Sequence, residues 1–306
     1  MEFEVLHNGK NINDLIEIVA CHSFDRYGGM LDDLSITFVS TSNKVDFNKD
    51  DELGIRTAGG FTTGTMHLDS CEGKDGRFTV NALSCRHTNK RRKSKIWNHV
   101  RLSKIIGDVA SNTGLTPLLY GIDDFTYASV SQIAEPDLQL LARICKREGY
   151  SIKCDDGKLI VFNEYYLESN STPIALSKES ISANYSFGRS INGLASMTVR
   201  YFNPDTKQSI SYTSSDSEIP GGDETRIEFV KDIYEAQRFS RGYLRDANKF
   251  YITGILKMPY NGSISAGTVA DLTGFEEFDG RYVVYEAKHD FVNEKTAIKV
   301  RKLLGY

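Results

Sequence analysis

Residues 132–162 read QIAEPDLQLLARICKREGYSIKCDDGKLIVF and set a helical period directly beside a strand period. Pro136 suits a first helical position, where its missing N–H would have no partner anyway. Leu138, Leu141, Ala142 and Cys145 recur at helical spacing and predict an apolar stripe, with Gly149 as the stop. Two short runs, 150–154 and 158–162, then flank Asp155-Asp156-Gly157. Asp and Gly tolerate the positive φ of a tight turn, so this segment predicts a hairpin.

Upstream, residues 87–95 read HTNKRRKSK, with five Lys or Arg and no acid. The period then becomes helical: Leu102, Ile105, Ile106, Val109 and Ala110 share a face, and Gly114 suits the C-terminal cap. Residues 88–172 thus predict a small α+β domain, closed by a linker-like stretch at 169–173. Before it, residues 1–87 read as strands, at 34–39, 61–68 and 77–83, with a hairpin turn at 72–76. After it, residues 173–306 return to strands at 183–187, 197–202, 209–213, 282–287 and 295–300. A polar, Gly-bearing stretch at 214–224 reads as a long loop. One helix is expected in this last part, from Ile233, Ala236, Gln237, Ser240 and Leu244, with Arg238, Arg241 and Arg245 on a neighbouring face. The order is β, then α+β, then β.

The chain has 306 residues, 37 Lys+Arg against 41 Asp+Glu, and a formal charge of −4, which excludes a uniformly basic nucleic-acid coat. Its 16 Tyr, 16 Phe and 25 Gly against 6 Pro lean towards β structure. The opening MEFEVLHNGKN lacks the basic and then apolar pattern of an export signal, and no run approaches a membrane span. Cys21, Cys71, Cys85, Cys145 and Cys154 form no CxxC pair and read as reduced thiols.

The search for chemistry finds no catalytic constellation. The Gly-rich stretch 54–64 lacks the Gly-Lys-Ser/Thr ending of a phosphate loop and opens no helix, so it reads as a turn between strands. Cys71, Cys85 and His87, with His67 nearby, lack the paired spacing of a zinc site. GxSxG and HExxH are absent. The acidic clusters Asp50-Asp51-Glu52 and Glu276-Glu277-Phe278-Asp279 read as turns. The strong charge feature is Lys90, Arg91, Arg92, Lys93 and Lys95, read as a solvated loop or a contact for an acidic protein partner. Trp97 reads as an anchor for the helices rather than a base-stacking ring. No cofactor, metal or specific nucleic acid is implied.

Three blocks together resemble a known family. Residues 87–115, HTNKRRKSKIWNHVRLSKIIGDVASNTGL, resemble the segment of late control protein D-type baseplate hubs in which a basic run and a Trp precede a helix. Residues 132–162 resemble that family's next motif. Residues 274–291, GFEEFDGRYVVYEAKHDF, are similar to its closing strands. Pro136 departs from the family, which more often has Ser there. The resemblance implies a mainly β fold with two β-barrel-like, tail-tube-like domains (1–87 and 173–306) and an α+β domain between them. It implies a homotrimer, a threefold ring adapting a central spike protein to the six-fold tail tube protein, with other baseplate components as further partners. The ring would assemble in the cytosol and then reside in the baseplate of a phage tail or tail-like bacteriocin. Because the chain stops at Tyr306, spike and hydrolase are expected on separate polypeptides. Lys90, Arg91, Arg92, Lys93 and Lys95 are the expected protein interface. Two rivals stay open: a tail-associated cell-wall hydrolase, which would need two facing carboxylates in a groove, and a monomeric carbohydrate-binding β protein.

Overall fold

The computed structural model describes residues 1–40, 45–86, 90–181, 184–204 and 206–306. In chain order the first elements are β1 (Phe3–His7), β2 (Lys10–Asn11), β3 (Ile16–Arg26), β4 (Asp33–Ser40), β5 (Glu52–Thr57), β6 (Met66–Lys74) and β7 (Arg77–Leu83). Next come β8 (Arg92–Arg101), α1 (Leu102–Thr113), β9 (Thr116–Tyr120), β10 (Thr126–Pro136), α2 (Asp137–Arg147), β11 (Tyr150–Asp155), β12 (Lys158–Asn163) and α3 (Glu164–Asn170). The last are β13 (Ile174–Ser177), β14 (Tyr185–Arg189), β15 (Gly193–Asn203), β16 (Gln208–Ser215), β17 (Gly221–Ile227), α4 (Ile233–Asn248), β18 (Ile252–Pro259), β19 (Val269–Thr273), β20 (Gly280–Asp290) and β21 (Lys295–Lys302).

Among the described residues, one thirteen-stranded sheet joins the two ends of the chain, in the order β14-β18-β21-β20-β3-β4-β7-β6-β5-β1-β2, with β19 on β20 and β13 on β19. It has two separate apolar cores. Leu34, Ile36 and Phe38 alternate into the first, with Val5, Ile55 and Val80. Leu256, Val284, Ile298 and Val300 fill the second. The expectation of two β-barrel-like domains is overturned, because among the described residues no sheet closes on itself. The cause lies in β3. Its residues 16–24 pair with β4 on one edge, while residues 22–26 pair with β20 on the other. The edge that could have sealed the first half is therefore taken by the second half. The result is a mixed α+β, sheet-rich fold whose large sheet ends at β14 and at the two-residue β2.

The middle of the chain forms a helical core. Ile152, Cys154, Leu159 and Val161, from one face of the β11–β12–β9 sheet, pack with α1, α2 and α4. Both foreseen turns are present, with positive φ at Asp75 and Gly76 and at Asp156 and Gly157. Gly114 caps α1 at φ 70°. Other expectations need correction. The stripe on α2 is centred on Leu140, Leu141, Ile144 and Cys145, with Leu138 and Ala142 only partly covered, because α1, α4 and the sheet all press on that helix. Much of the stretch read as a loop at 214–224 is strand: β17 begins at Gly221 and lies parallel to β15. Of the linker at 169–173, Ser169 and Asn170 belong to α3. Residue 183, read as the start of a strand, lies outside the described residues, and β14 begins at Tyr185.

A buried ion network ties these parts together. α3 presents Glu164 and Glu168, one helical turn apart. Arg245 of α4 donates to Glu164 at 3.1 Å and to Glu168 at 2.6 Å. Arg301 of β21 donates to the same two carboxylates at 3.1 and 2.6 Å. Ser151 of β11 donates to Glu164 at 2.5 Å, and Lys249 stands 3.4 Å away. All four members of the Arg–Glu set are under 5% exposed. Burial alone would raise the Glu164 carboxyl, but Lys249, Arg301, Arg245 and the Ser151 hydroxyl outweigh it and hold it well below the usual carboxylate range.

Two expected outcomes test this packing. Gly242 lies where α4 meets the end of α2, and a Cβ there would stand 2.2 Å from the Arg147 carbonyl oxygen. Alanine favours helices by about 1 kcal/mol, yet overpacking against a fixed backbone costs about 1–3 kcal/mol. Gly242→Ala should therefore lower the urea midpoint, and a raised midpoint would contradict the packing. Glu164→Gln should cost about 3–5 kcal/mol, because it leaves buried guanidinium charge uncompensated. A depressed carboxyl adds stability that is complete above its unfolded value near 4.5 and drains away as pH falls towards its folded value. Melting curves from pH 7 to 3 should show this acid loss in the wild type and much less of it in Glu164→Gln.

Candidate docking surface

β8 and β10 form a two-stranded antiparallel ribbon, with Trp97 opposite Val130 and Lys95 opposite Gln132. The basic run is thus largely a strand, not a loop, with Lys90 and Arg91 leading into it. Strand alternation then sorts its charges. Lys93 reaches inward to Asp137 at the start of α2, Nζ to Oδ2 2.6 Å. Lys95 reaches Asp108 of α1 at 2.8 Å and lies over the Trp97 ring, 4.4 Å from its centroid. The Trp97 indole N–H donates to the same Asp108 oxygen at 2.9 Å. Hydrogen bonds from Lys104, Lys95 and Trp97 hold the Asp108 carboxyl well below the usual range. Trp97 is buried and anchors the ribbon to the helices, as its position suggested.

Lys90 pairs with Asp69 at the surface, at 2.9 Å. Arg91 and Arg92 are exposed and form no ion pair among the described residues. Beside them the ribbon shows two bare isoleucines. Ile96 is 66% exposed and Ile133 77%, and Ile96 lies opposite Ser131, two residues from Ile133. Two unanswered guanidinium groups next to apolar surface make a small patch suited to a carboxylate-bearing protein partner. The five basic residues therefore divide. Lys93 and Lys95 fasten the ribbon, Lys90 makes a surface pair, and Arg91 and Arg92 remain available.

The other sequence candidates are not assembled into a site. Asp51 accepts from His7, Asn8 and the Asn48 N–H, which fixes a turn. Asp279 accepts from the Phe275 N–H in another turn. Residues 54–64 run from β5 into a turn, with one bridge from Arg56 to Thr62. Cys85 is buried and Cys71 exposed, while His87 lies outside the described residues. Among the described residues, no group of three or more His, Cys, Asp or Glu is placed to hold a metal ion. No helix of the described residues is long and apolar enough to cross a membrane. Of the buried ion network, the sequence reading places Arg245 on a helix face without a role and does not single out Glu164, Glu168 or Arg301. Arg301 gives no signal in the sequence, because it falls on the strand face of Ala297 and Lys299, opposite Ile298 and Val300, where alternation expects a polar residue.

No protein-family model and no curated protein matches the sequence. Solved structures do resemble the fold. The 43 kDa tail protein of prophage MuSo2 from Shewanella oneidensis superposes with a TM-score of 0.77 at 13% identity, over 98% of each chain. A tail protein from Neisseria meningitidis gives 0.76 at 11% identity, over 98% of this chain and 96% of that one. The Escherichia coli c3393 protein, a component of the type VI secretion system, gives 0.67 at 8% identity, over 100% of this chain and 78% of that one. The fold is thus one found in phage tail proteins and in a component of the type VI secretion system that is itself structurally similar to phage tail proteins.

Proposed function

We propose that the chain is a structural baseplate hub of the late control protein D type, forming a threefold ring that adapts a central spike to the six-fold tube of a contractile tail or tail-like particle. The observation that carries this reading is the likeness in fold to tail proteins along 98% of the chain. Two features of the fold support it. The large sheet is open at β14 and β2 among the described residues, and open edges are commonly covered by neighbouring subunits. The ribbon presents Arg91 and Arg92 beside Ile96 and Ile133, a charge-and-apolar patch suited to a protein contact. The chain acts mechanically in this reading, by docking during assembly and moving with the spike when the sheath contracts.

Light scattering of the chain co-expressed with the spike from the same gene cluster tests the ring. A mass of three chains with the spike is expected, and a strict monomer that does not bind the spike overturns it. The patch has its own test. Arg91→Ser with Arg92→Ser should leave the melting temperature unchanged, since exposed charges contribute little to stability. The same pair should weaken assembly and make what remains less salt-sensitive. Lys93→Ser should behave differently and cost about 1–3 kcal/mol, because Asp137 is buried and loses its cation. Normal assembly by the double arginine variant would remove the patch from the interface.

A further inference from the structure

Two thiols meet where the first strands join the helical core. Cys85 follows β7, and Cys154 lies on the helix-facing side of β11. They share one apolar core and are only 3% and 2% exposed. Hydrogen bonds to a single residue, Asp32, fix both neighbourhoods. The Asp32 carbonyl accepts from the Ser84 N–H at 3.0 Å, and the Asp32 N–H donates to the Ser84 hydroxyl at 3.2 Å. The Asp32 carboxylate accepts from Lys153 at 2.7 Å. Cys85 and Cys154 each stand one residue further along, and their thiols come within hydrogen-bond reach of each other. Cys21 lies in a different core and Cys71 is exposed.

A second, independent observation is a way in. A cavity of about 300 Å³ lies between α2, the 29–31 turn and β11, and Cys85 and Cys154 both line it, with Leu138 and Ala142. That is room for a small molecule but not for a protein chain. Arg86 and Lys90 line the same cavity, and positive charge beside a thiol favours its thiolate, the reactive form. Cys154 is the less ionisable of the pair, because contact with Cys85 and burial push its thiol well above the ordinary range.

We propose that Cys85 and Cys154 form a modification site at which a hydroperoxide closes a disulfide between the first β part and the helical core. The Cys85 thiolate attacks one peroxide oxygen and the O–O bond breaks. Hydroxide leaves, takes up the proton lost by Cys85 and becomes water, and Cys85 becomes a sulfenic acid. The Cys154 sulfur then attacks the Cys85 sulfur. The S–O bond breaks, and the hydroxyl departs with the Cys154 proton as a second water. Two thiols lose two electrons in all, and one peroxide is reduced to two waters. The bond encloses residues 86–153 and staples the β8–β10 ribbon, α1 and α2 to the end of β7. The inference takes only its setting from the proposed role: a chain that assembles in a reducing cytosol and works outside the cell meets its oxidant after assembly.

The test uses the whole chain carrying Cys71→Ser, which removes the exposed thiol, treated with hydrogen peroxide. Remaining thiols are then capped in denaturant, and unreduced tryptic peptides are analysed by mass spectrometry. A linked peptide pair holding Cys85 and Cys154, two hydrogens lighter than its parts, is expected, with Cys21 and Cys145 capped. The oxidised chain should melt about 5 °C above the reduced one, and dithiothreitol should reverse the gain. With Cys154→Ser added, dimedone should label Cys85 as the trapped sulfenic acid. Linkage to another cysteine would overturn the proposal, as would Cys85 over-oxidised beside a free Cys154 thiol, or both thiols unchanged. A linked chain that melts lower would also overturn it, because native packing would then not present the pair for bonding. The bond formed in a chain that proves strictly monomeric would keep the site and remove the hub.

Discussion

Four side chains that cannot be buried singly hold the architecture in one arrangement. Glu164 and Glu168 come from α3, Arg245 from α4 and Arg301 from β21. Taking any one of them out of water alone would cost several kcal/mol; together they offset one another's charge, although the Arg301 Nη1 stays without a hydrogen-bond partner among the described residues. Docking of α3, α4 and the end of the large sheet is therefore all-or-none at this point. The Tyr27 ring lies 5.7 Å from the Arg301 guanidinium and packs against Phe162 at 4.9 Å, so a small apolar core continues the junction towards β3 and β20. An apolar junction of the same volume could be as stable. The ionic one is selective, because a shifted register leaves charges unpaired.

That rigid junction bears on what the chain can do. The β3–β20 pairing makes one continuous sheet from the two ends of the chain, and the ion network fixes the helical core against it. Surfaces held this way keep their spacing under load. The ribbon then presents a fixed face that is cationic with bare isoleucines. A protein that works by docking needs such faces held at set distances, and needs no catalytic cluster to do so.

Local periodicity made much of the secondary structure legible. α1, α4, the two hairpins and the last two strands follow from spacing and turn residues alone. Where the reading failed, the cause is physical. α3 was missed because its buried positions are two glutamates, and a search for apolar stripes does not see a core built of ion pairs. The basic run that opens β8 reads from its charge as a solvated loop or a contact for an acidic partner, although alternation lets Lys93 and Lys95 reach back to the helices. β17, Gly-Gly-Asp-Glu-Thr-Arg-Ile, is polar because it lies at the edge of its sheet and is largely exposed. The barrels failed for a different reason. Spacing shows that a segment is a strand, but not which edge it will share, and β3 meets β20 across more than 250 residues of sequence. Of the site, the basic run was legible as a charge feature, while the separation of Arg91 and Arg92 from Lys93 and Lys95 required the strand register.

In the proposed role the chain is an integral part of a tail, at the end where the tube meets its spike. Electron microscopy of particles from the cells that encode it, labelled with gold-conjugated antibody against the chain, addresses that claim directly. The account predicts label at one end of the tail, at the baseplate. Label spread along the tube, or particles that carry none of the chain, would contradict it.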